Sequence, residues 1–221
     1  MPAIRWVTCA LLLGAAARTV SGTADISRVQ LRSGALKNLR VGTLLVAERD
    51  LPDPNFTQTV VVLAQFDDKD GAMGLIVNRQ TSVPLSRVLP DLKSRGEITL
   101  FMGGPVSADS VLVLARSAHP IAGSQHIAAD LYLVTSREAL EAQLQSGGGR
   151  DSVRVYLGYC GWSPGQLERE TAAGGWHVLP PDPGVVFDAD PDSVWEREVK
   201  KSEGLMARML QFVRPGARDA I

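Results

Sequence analysis

Cys160 is the residue whose type and setting best fit a nucleophile. It follows the apolar run Val153 to Tyr159 and precedes Ser163-Pro-Gly-Gln166, a helix-start signal. A thiol near a helix N-terminus can have a lowered pKa and attack an electrophile. His177 would be its base if the fold joined them. The competing reading makes Cys160 a small apolar residue packed beneath Trp162, and it is the one adopted. A second group is polar. Asp53-Pro-Asn-Phe56 lies between two apolar runs. Asp53 and Asn55 can line a pocket, or the four residues can be a structural turn with Phe56 as its anchor. Asn78-Arg79 ends a strand and can bring an amide and a guanidinium beside that loop. Arg79 suits a carboxylate or phosphate, and equally a structural partner such as Asp53 or Glu168. Gly103-Gly-Pro105 permits close backbone approach. Trp162 and Tyr159 are binding aromatics or core. The candidate ligand pocket is therefore Asp53, Asn55, Asn78, Arg79, Gly103, Gly104, Trp162, Gln166 and Glu168, with no catalytic residue assigned.

Several chemistries lack their residues. There is no G-x-x-x-x-G-K-[ST], no G-x-G-x-x-G after a strand and no H-E-x-x-H. His119, His126 and His177 sit at no ligand spacing and no cysteine pair accompanies them, so neither metal nor cofactor is expected. The net charge is -1. Arg197, Lys200 and Lys201 alternate with Glu196 and Glu198, which reads as a solvated helix face. Nucleic acid is not an expected partner.

The elements that must position these residues follow from pattern. Leu44 to Ala47 and Thr59 to Phe66 are β-branched, apolar runs, the second expected to be buried on both faces. Asp67-Asp-Lys-Asp-Gly71 turns the chain into a third strand, Ala72 to Asn78, making a hairpin. A short helix is expected over Val83 to Leu92. Strands follow at 98–102, 110–115 and 131–134. Thr135-Ser-Arg-Glu138 reads as a capping box for a helix to Ser146. Val153 to Tyr159 is a strand, Ser163 to Gln166 a second capping box with Pro164 at the first helical position, and Pro164 to Ala173 a helix. Trp176 to Leu179 is a strand and Pro180 to Pro183 a loop. A final helix begins at Asp190-Pro191, with Trp195, Val199, Met206, Leu210 and Val213 on one face. The pattern is α+β: a single domain with a large mixed β-sheet flanked by a few helices.

The N-terminus differs. One basic residue, Arg5, precedes the apolar run Trp6 to Ala17, and small polar residues follow to Ala24. The run is short for a membrane span, which needs about 20 residues, and fits a signal peptide. The expected organisation is a leader or extension over 1–24, a linker over 25–37, the domain over 38–213 and a tail over 214–221. Export to the periplasm follows if the leader is cleaved, with no stable membrane span afterwards. Cleavage would remove Cys9 and leave Cys160 without an internal disulfide partner.

Five ordered blocks resemble the YqgE/AlgH family, also called UPF0301. They are Leu44-Leu-Val-Ala47, Asp53-Pro-Asn-Phe56, Gly74-Leu-Ile-Val-Asn-Arg79, Gly103-Gly-Pro-Val106 and Gly158-Tyr-Cys-Gly-Trp-Ser-Pro-Gly-Gln-Leu-Glu168. The resemblance covers about residues 38 to 200. It implies a single α+β domain and no established enzyme activity. Family members are often named as transcriptional regulators, yet no helix-turn-helix with a basic recognition face is visible here. The family usually has alanine where this chain has Cys160, and its members are usually cytoplasmic without a leader. The functional expectation is a non-enzymatic binding or regulatory domain for a small ligand or protein. The alternatives are an enzyme built on Asp53, Asn55 and Arg79, and, behind it, a transcriptional regulator.

Overall fold

The computed structural model describes residues 36–92 and 97–213, with side chains as far as 209. The leader, nearly all of the linker and the tail lie outside these residues. The first strands are β1 (Leu44–Ala47), β2 (Val60–Asp67) and β3 (Gly71–Ile76). Every residue of β1 and β3, and the first five of β2, are buried, so both faces of this part of the sheet are covered. Asp67 closes the β2–β3 hairpin, its Oδ1 accepting from the Lys69 and Asp70 amides at 2.7 and 3.1 Å. Those two bonds hold its carboxyl below the ordinary aspartate pKa. Gly71 supplies the positive φ, +85°, that completes the turn.

Next come β4 (Gln80–Pro84), α1 (Leu85–Val88) and β5 (Thr99–Met102). The helix expected over 83–92 is thus one turn preceded by a strand. Pro84 disfavours helical geometry at Val83, and β4 pairs with β5 from Gln80↔Phe101 to Pro84↔Thr99. Then follow β6 (Val106–Arg116), β7 (Ser124–Ala128), β8 (Leu131–Val134) and α2 (Arg137–Gln145). The α2 cap is shifted by one residue from the expected box. Ser136 is the N-cap and accepts from the Ala139 amide, while the Thr135 hydroxyl donates to the Gly123 carbonyl at 2.9 Å. The chain ends with β9 (Val153–Trp162), α3 (Gln166–Ala173), β10 (Trp176–Leu179), α4 (Pro183–Val186) and α5 (Pro191–Val213). Ser163 to Gly165 lie outside α3, in a turn that closes on its first residue, Gln166. Gln166 N donates to Ser163 O, and Gly165 has φ 72° and ψ -2°, the third-position geometry of a type II turn with proline before it. Half of the expected box survives, because the Gln166 side chain accepts from the Ser163 amide at 3.0 Å.

The strands pair in the order β10-β1-β2-β3-β9-β6-β8-β7, with β4 and β5 branching from β9. The pairings are antiparallel except β5 with β9, which is parallel, so the sheet is mixed. One face carries Phe101, Leu114, Leu133 and Tyr156 into the core shared with β1–β3, α4 and α5. The other face carries Leu100, Val113, Val153 and Val155 against Leu140 and Leu144 of α2. The first half of α5 is anchored: Val194 and Val199 are buried, and the Trp195 indole donates to the Ala47 carbonyl at 2.8 Å. Arg49 clamps the same helix through Glu196 and Glu203. Beyond it, Met206 is half-buried and Leu205 and Met209 are exposed; the Leu210 and Val213 side chains lie outside the described residues. No described helix is long and apolar enough to cross a membrane.

β9 is the spine. Its first half pairs with β5, from Leu100↔Val155 to Met102↔Leu157. Its last three residues pair with β3, from Gly74↔Cys160 to Ala72↔Trp162. Its other edge takes β6, whose register jumps between Val106↔Tyr159 and Val111↔Leu157. The change of partner occurs at Gly158, where φ is +68°. There the Gly103-Gly104 backbone passes against β9. A Cβ on Gly103 would lie 2.3 Å from the Gly158 oxygen, and one on Gly104 would lie 2.2 Å from the Tyr159 carbonyl carbon. A Cβ on Gly158 would lie 2.5 Å from the Gly104 oxygen. Gly104→Ala is expected to destabilise the protein by about 3 kcal/mol or more, since backbone cannot yield as a side chain does. Gly204→Ala, in open space on α5, should instead stabilise by up to about 1 kcal/mol through helix propensity. Urea denaturation of the two variants checks the contrast.

Candidate functional site

The loop from Asp53 to Gln58 is fixed from inside and from its flank. Asp53 is buried and its Oδ1 accepts from the Asn55 amide at 2.8 Å. Its carbonyl accepts from the amides of Phe56 and Thr57 and from the Thr57 hydroxyl. Asn78 is also buried. Its Oδ1 accepts from Val60 N at 2.8 Å and its Nδ2 donates to Gln58 O at 2.9 Å, joining the ends of β2 and β3. This second bond holds Gln58, a non-glycine residue at φ 55°. Arg79 spans the flank, donating to the carbonyls of Asn55 (2.7 Å), Thr57 (3.3 Å) and Pro54 (3.4 Å). Its partners are loop carbonyls rather than Asp53 or Glu168. The Asn55 side chain is exposed.

Phe56 ties this loop to the Gly158–Glu168 block. Its ring stacks on Trp162 at 5.9 Å between centroids and meets the edge of Trp176 at 5.3 Å. Trp162 and Trp176 are themselves edge-to-face at 6.1 Å. Buried indoles need acceptors, and one side chain serves both: Glu170 Oε2 accepts from Trp162 Nε1 and Trp176 Nε1, each at 3.0 Å. Glu170 Oε1 accepts from Gln166 Nε2 at 2.9 Å. Glu170, Phe56 and Trp176 are absent from the candidate set read from sequence. Glu170 is legible in hindsight from its place one helical turn after Gln166. Glu168 lies in the first turn of α3, half-buried, outside this network.

Gly103 and Gly104 form the crossing already described. Cys160 sits beside it, fully buried, with Sγ directed at the Gly103 carbonyl at 3.3 Å. Burial pushes its thiol pKa far above the ordinary value, the opposite of an activated nucleophile. His177 does not join it: the imidazole pairs with the Glu48 carboxylate at the far end of β1. The helix-terminus setting is absent too, because the type II turn separates Cys160 from α3. Among the described residues no cluster of three or more His, Cys, Asp or Glu could hold a metal. An open depression of about 120 Å³ lies elsewhere, at the start of β9, and none of the nine candidate residues lines it.

Glu170→Ala leaves three donors without their acceptor. An expected loss of about 2–4 kcal/mol, with red-shifted tryptophan emission, is checked by urea denaturation followed by fluorescence. Glu170→Gln should lose less, because one acceptor oxygen remains. In a Cys9→Ser background, Cys160 should be inert to a thiol reagent at pH 8 in the native protein and react at once in denaturant; a native reaction at the free-thiol rate contradicts the burial.

Comparison with known proteins supports one lineage. The sequence profile of the AlgH-like family, DUF179, matches residues 44–207. A UPF0301 protein of Methylococcus capsulatus is 38% identical over 164 residues, covering 72% of this chain and 89% of that protein. One from Thioalkalivibrio sulfidiphilus is 38% identical over 157 residues, covering 69% and 83%. The solution structure of the AlgH protein from Pseudomonas aeruginosa superposes with a TM-score of 0.59 at 31% identity, covering 80% of this chain and 94% of that one. A crystal structure from Corynebacterium diphtheriae, 22% identical, shares the fold at a TM-score of 0.63, covering 74% and 87%. The motif blocks, the single α+β domain and these relatives converge: the chain belongs to the AlgH-like, UPF0301 family.

Proposed function

We propose that this protein is a binding or regulatory domain without catalytic activity of its own. One observation carries the reading: most of the polar side chains singled out in the signature blocks are engaged by the protein itself. Asp53, Asn78, Arg79 and Gln166 each hold a named amide, carbonyl or carboxylate. Catalysis requires a group placed to exchange a proton or attack. Cys160 is sealed, and in the alternative enzyme built on Asp53, Asn55 and Arg79 the aspartate is buried, the arginine is bonded to three loop carbonyls, and the exposed side chain is a neutral amide.

What the clamp achieves is rigidity of a surface loop. Pro54, Asn55, Thr57 and Gln58 are exposed on a backbone held from both sides. A loop ordered before binding loses less entropy on contact, which suits recognition of a small ligand or protein. The charge balance of the chain gives no support to a DNA-binding regulator. The apolar run Trp6 to Ala17 favours action outside the cytoplasm.

A panel of chromogenic ester, phosphate and glycoside substrates, run beside a metabolite thermal-shift screen, tests the reading. Ligand-dependent stabilisation without turnover is expected. Turnover that disappears in a folded Arg79→Ala or Asn55→Ala variant overturns it.

A further inference from the structure

Arg154 is a buried charged side chain whose structural contacts leave part of its guanidinium unpaired. It is the second residue of β9, between Val153 and Val155, which face the α2 core. Its side chain lies on the opposite face and is 8% exposed. The guanidinium stacks over the Phe101 ring at 4.5 Å from its centroid. Nη2 donates to the Asp188 carbonyl at 2.6 Å, while Nε is buried with no partner. Among the described residues, no carboxylate lies within ion-pair distance of it. Burial lowers the Arg154 pKa, yet a guanidinium stays charged in proteins. A buried charge with no carboxylate in direct contact, and only the more distant charges of Asp151 and Asp188 to offset its burial, is destabilising, and an apolar residue of similar volume would cost less there.

The same residue lines the open depression at the start of β9. Gln80, Thr99 and Arg150 add polar groups to its wall, and Phe101 its apolar side. We propose that this depression binds a compact monocarboxylate, with Arg154 as its counter-ion. Three features select that class. The volume, about 120 Å³, is close to that of a cavity that takes up benzene, so the occupant has on the order of six heavy atoms. The guanidinium offers in-plane donors that match a carboxylate, while the Phe101 ring covers one of its faces. Glu97 and Asp151 also line the site, and their charges oppose a phosphate dianion more than a single negative charge. This inference names a ligand class for the binding reading and rests on it. Substrate turnover tests that reading, whereas carboxylate binding tests this one.

The experiment titrates the full chain with sodium propionate, sodium chloride and inorganic phosphate at constant ionic strength, followed by amide NMR shifts and thermal melting. Propionate should bind saturably with Kd on the order of 1 mM, the reach of a fragment this small. Shifts should centre on Gln80, Thr99 and Val153 to Tyr156. Arg154→Lys, which keeps the charge but not the fork, should weaken binding about tenfold or more. Arg154→Met should abolish it while melting no lower than wild type in chloride. Non-saturable shifts, propionate binding unchanged in Arg154→Lys, or phosphate binding tighter than propionate each overturn the proposal. So does an Arg154→Met protein that melts well below wild type, which would make the arginine structural. Failure of that variant to fold counts the same way.

Discussion

Two backbones meet at the kink of β9 with no side chain between them, and the sheet is organised around that meeting. Gly158 turns the strand through a positive φ so that one edge serves β5 and then β3. Gly103 and Gly104 let the chain leaving β5 pass against it before entering β6. Any Cβ at these positions would occupy the space of a carbonyl. The constraint is steric and leaves little room for compensation, since main chain is held on both sides by ladder hydrogen bonds. Cys160, next to the crossing, fits the same logic: a small side chain fills the gap and its thiol reaches the Gly103 carbonyl.

A second organising group lies one turn further along. Glu170 accepts from two indoles and an amide, and those indoles hold Phe56, which carries the Asp53 loop. Two stretches distant in sequence, the Asp53 loop and residues 162–176, are thereby tied by one carboxylate and one aromatic cluster. Arg79 and Asn78 close the loop from its other side. Residues that look like a polar site in sequence are thus the fastenings of a scaffold. The outward surface, Asn55 included, rests on Asp53, Asn78 and Arg79.

Much of the fold is legible in the sequence. β1, β2 and β9 are β-branched runs bounded by turn residues, and two cores explain why they need no polar alternation. α5 is legible from its apolar spacing. β7 is missed because Ser124 to Ala128 alternates weakly and is defined by its pairing with β8. β4 is missed because Val83-Pro84-Leu85 looks like a helix start, whereas pairing with β5 keeps it extended. The site is less legible. Composition marks Asp53, Asn78 and Arg79 as unusual but cannot say whether they face a ligand or their own backbone. Arg154 carries a readable signal, a lone charge inside Val153-Arg-Val-Tyr-Leu157, whose meaning depends on the missing carboxylate, which only three dimensions reveal.

The branching of β9 also sets an order of events. β3, β5 and β6 all pair with a strand that begins at Val153, between about 40 and 80 residues after each of them. Until that strand is available, their hydrogen-bonding edges face solvent or one another, the condition under which strands pair wrongly. Local hairpins such as β2–β3 can form early; the sheet cannot close until the last third of the chain arrives. A protein built this way trades rapid assembly for a single interior seam, and its exposure to aggregation is greatest during synthesis and refolding rather than in the finished molecule.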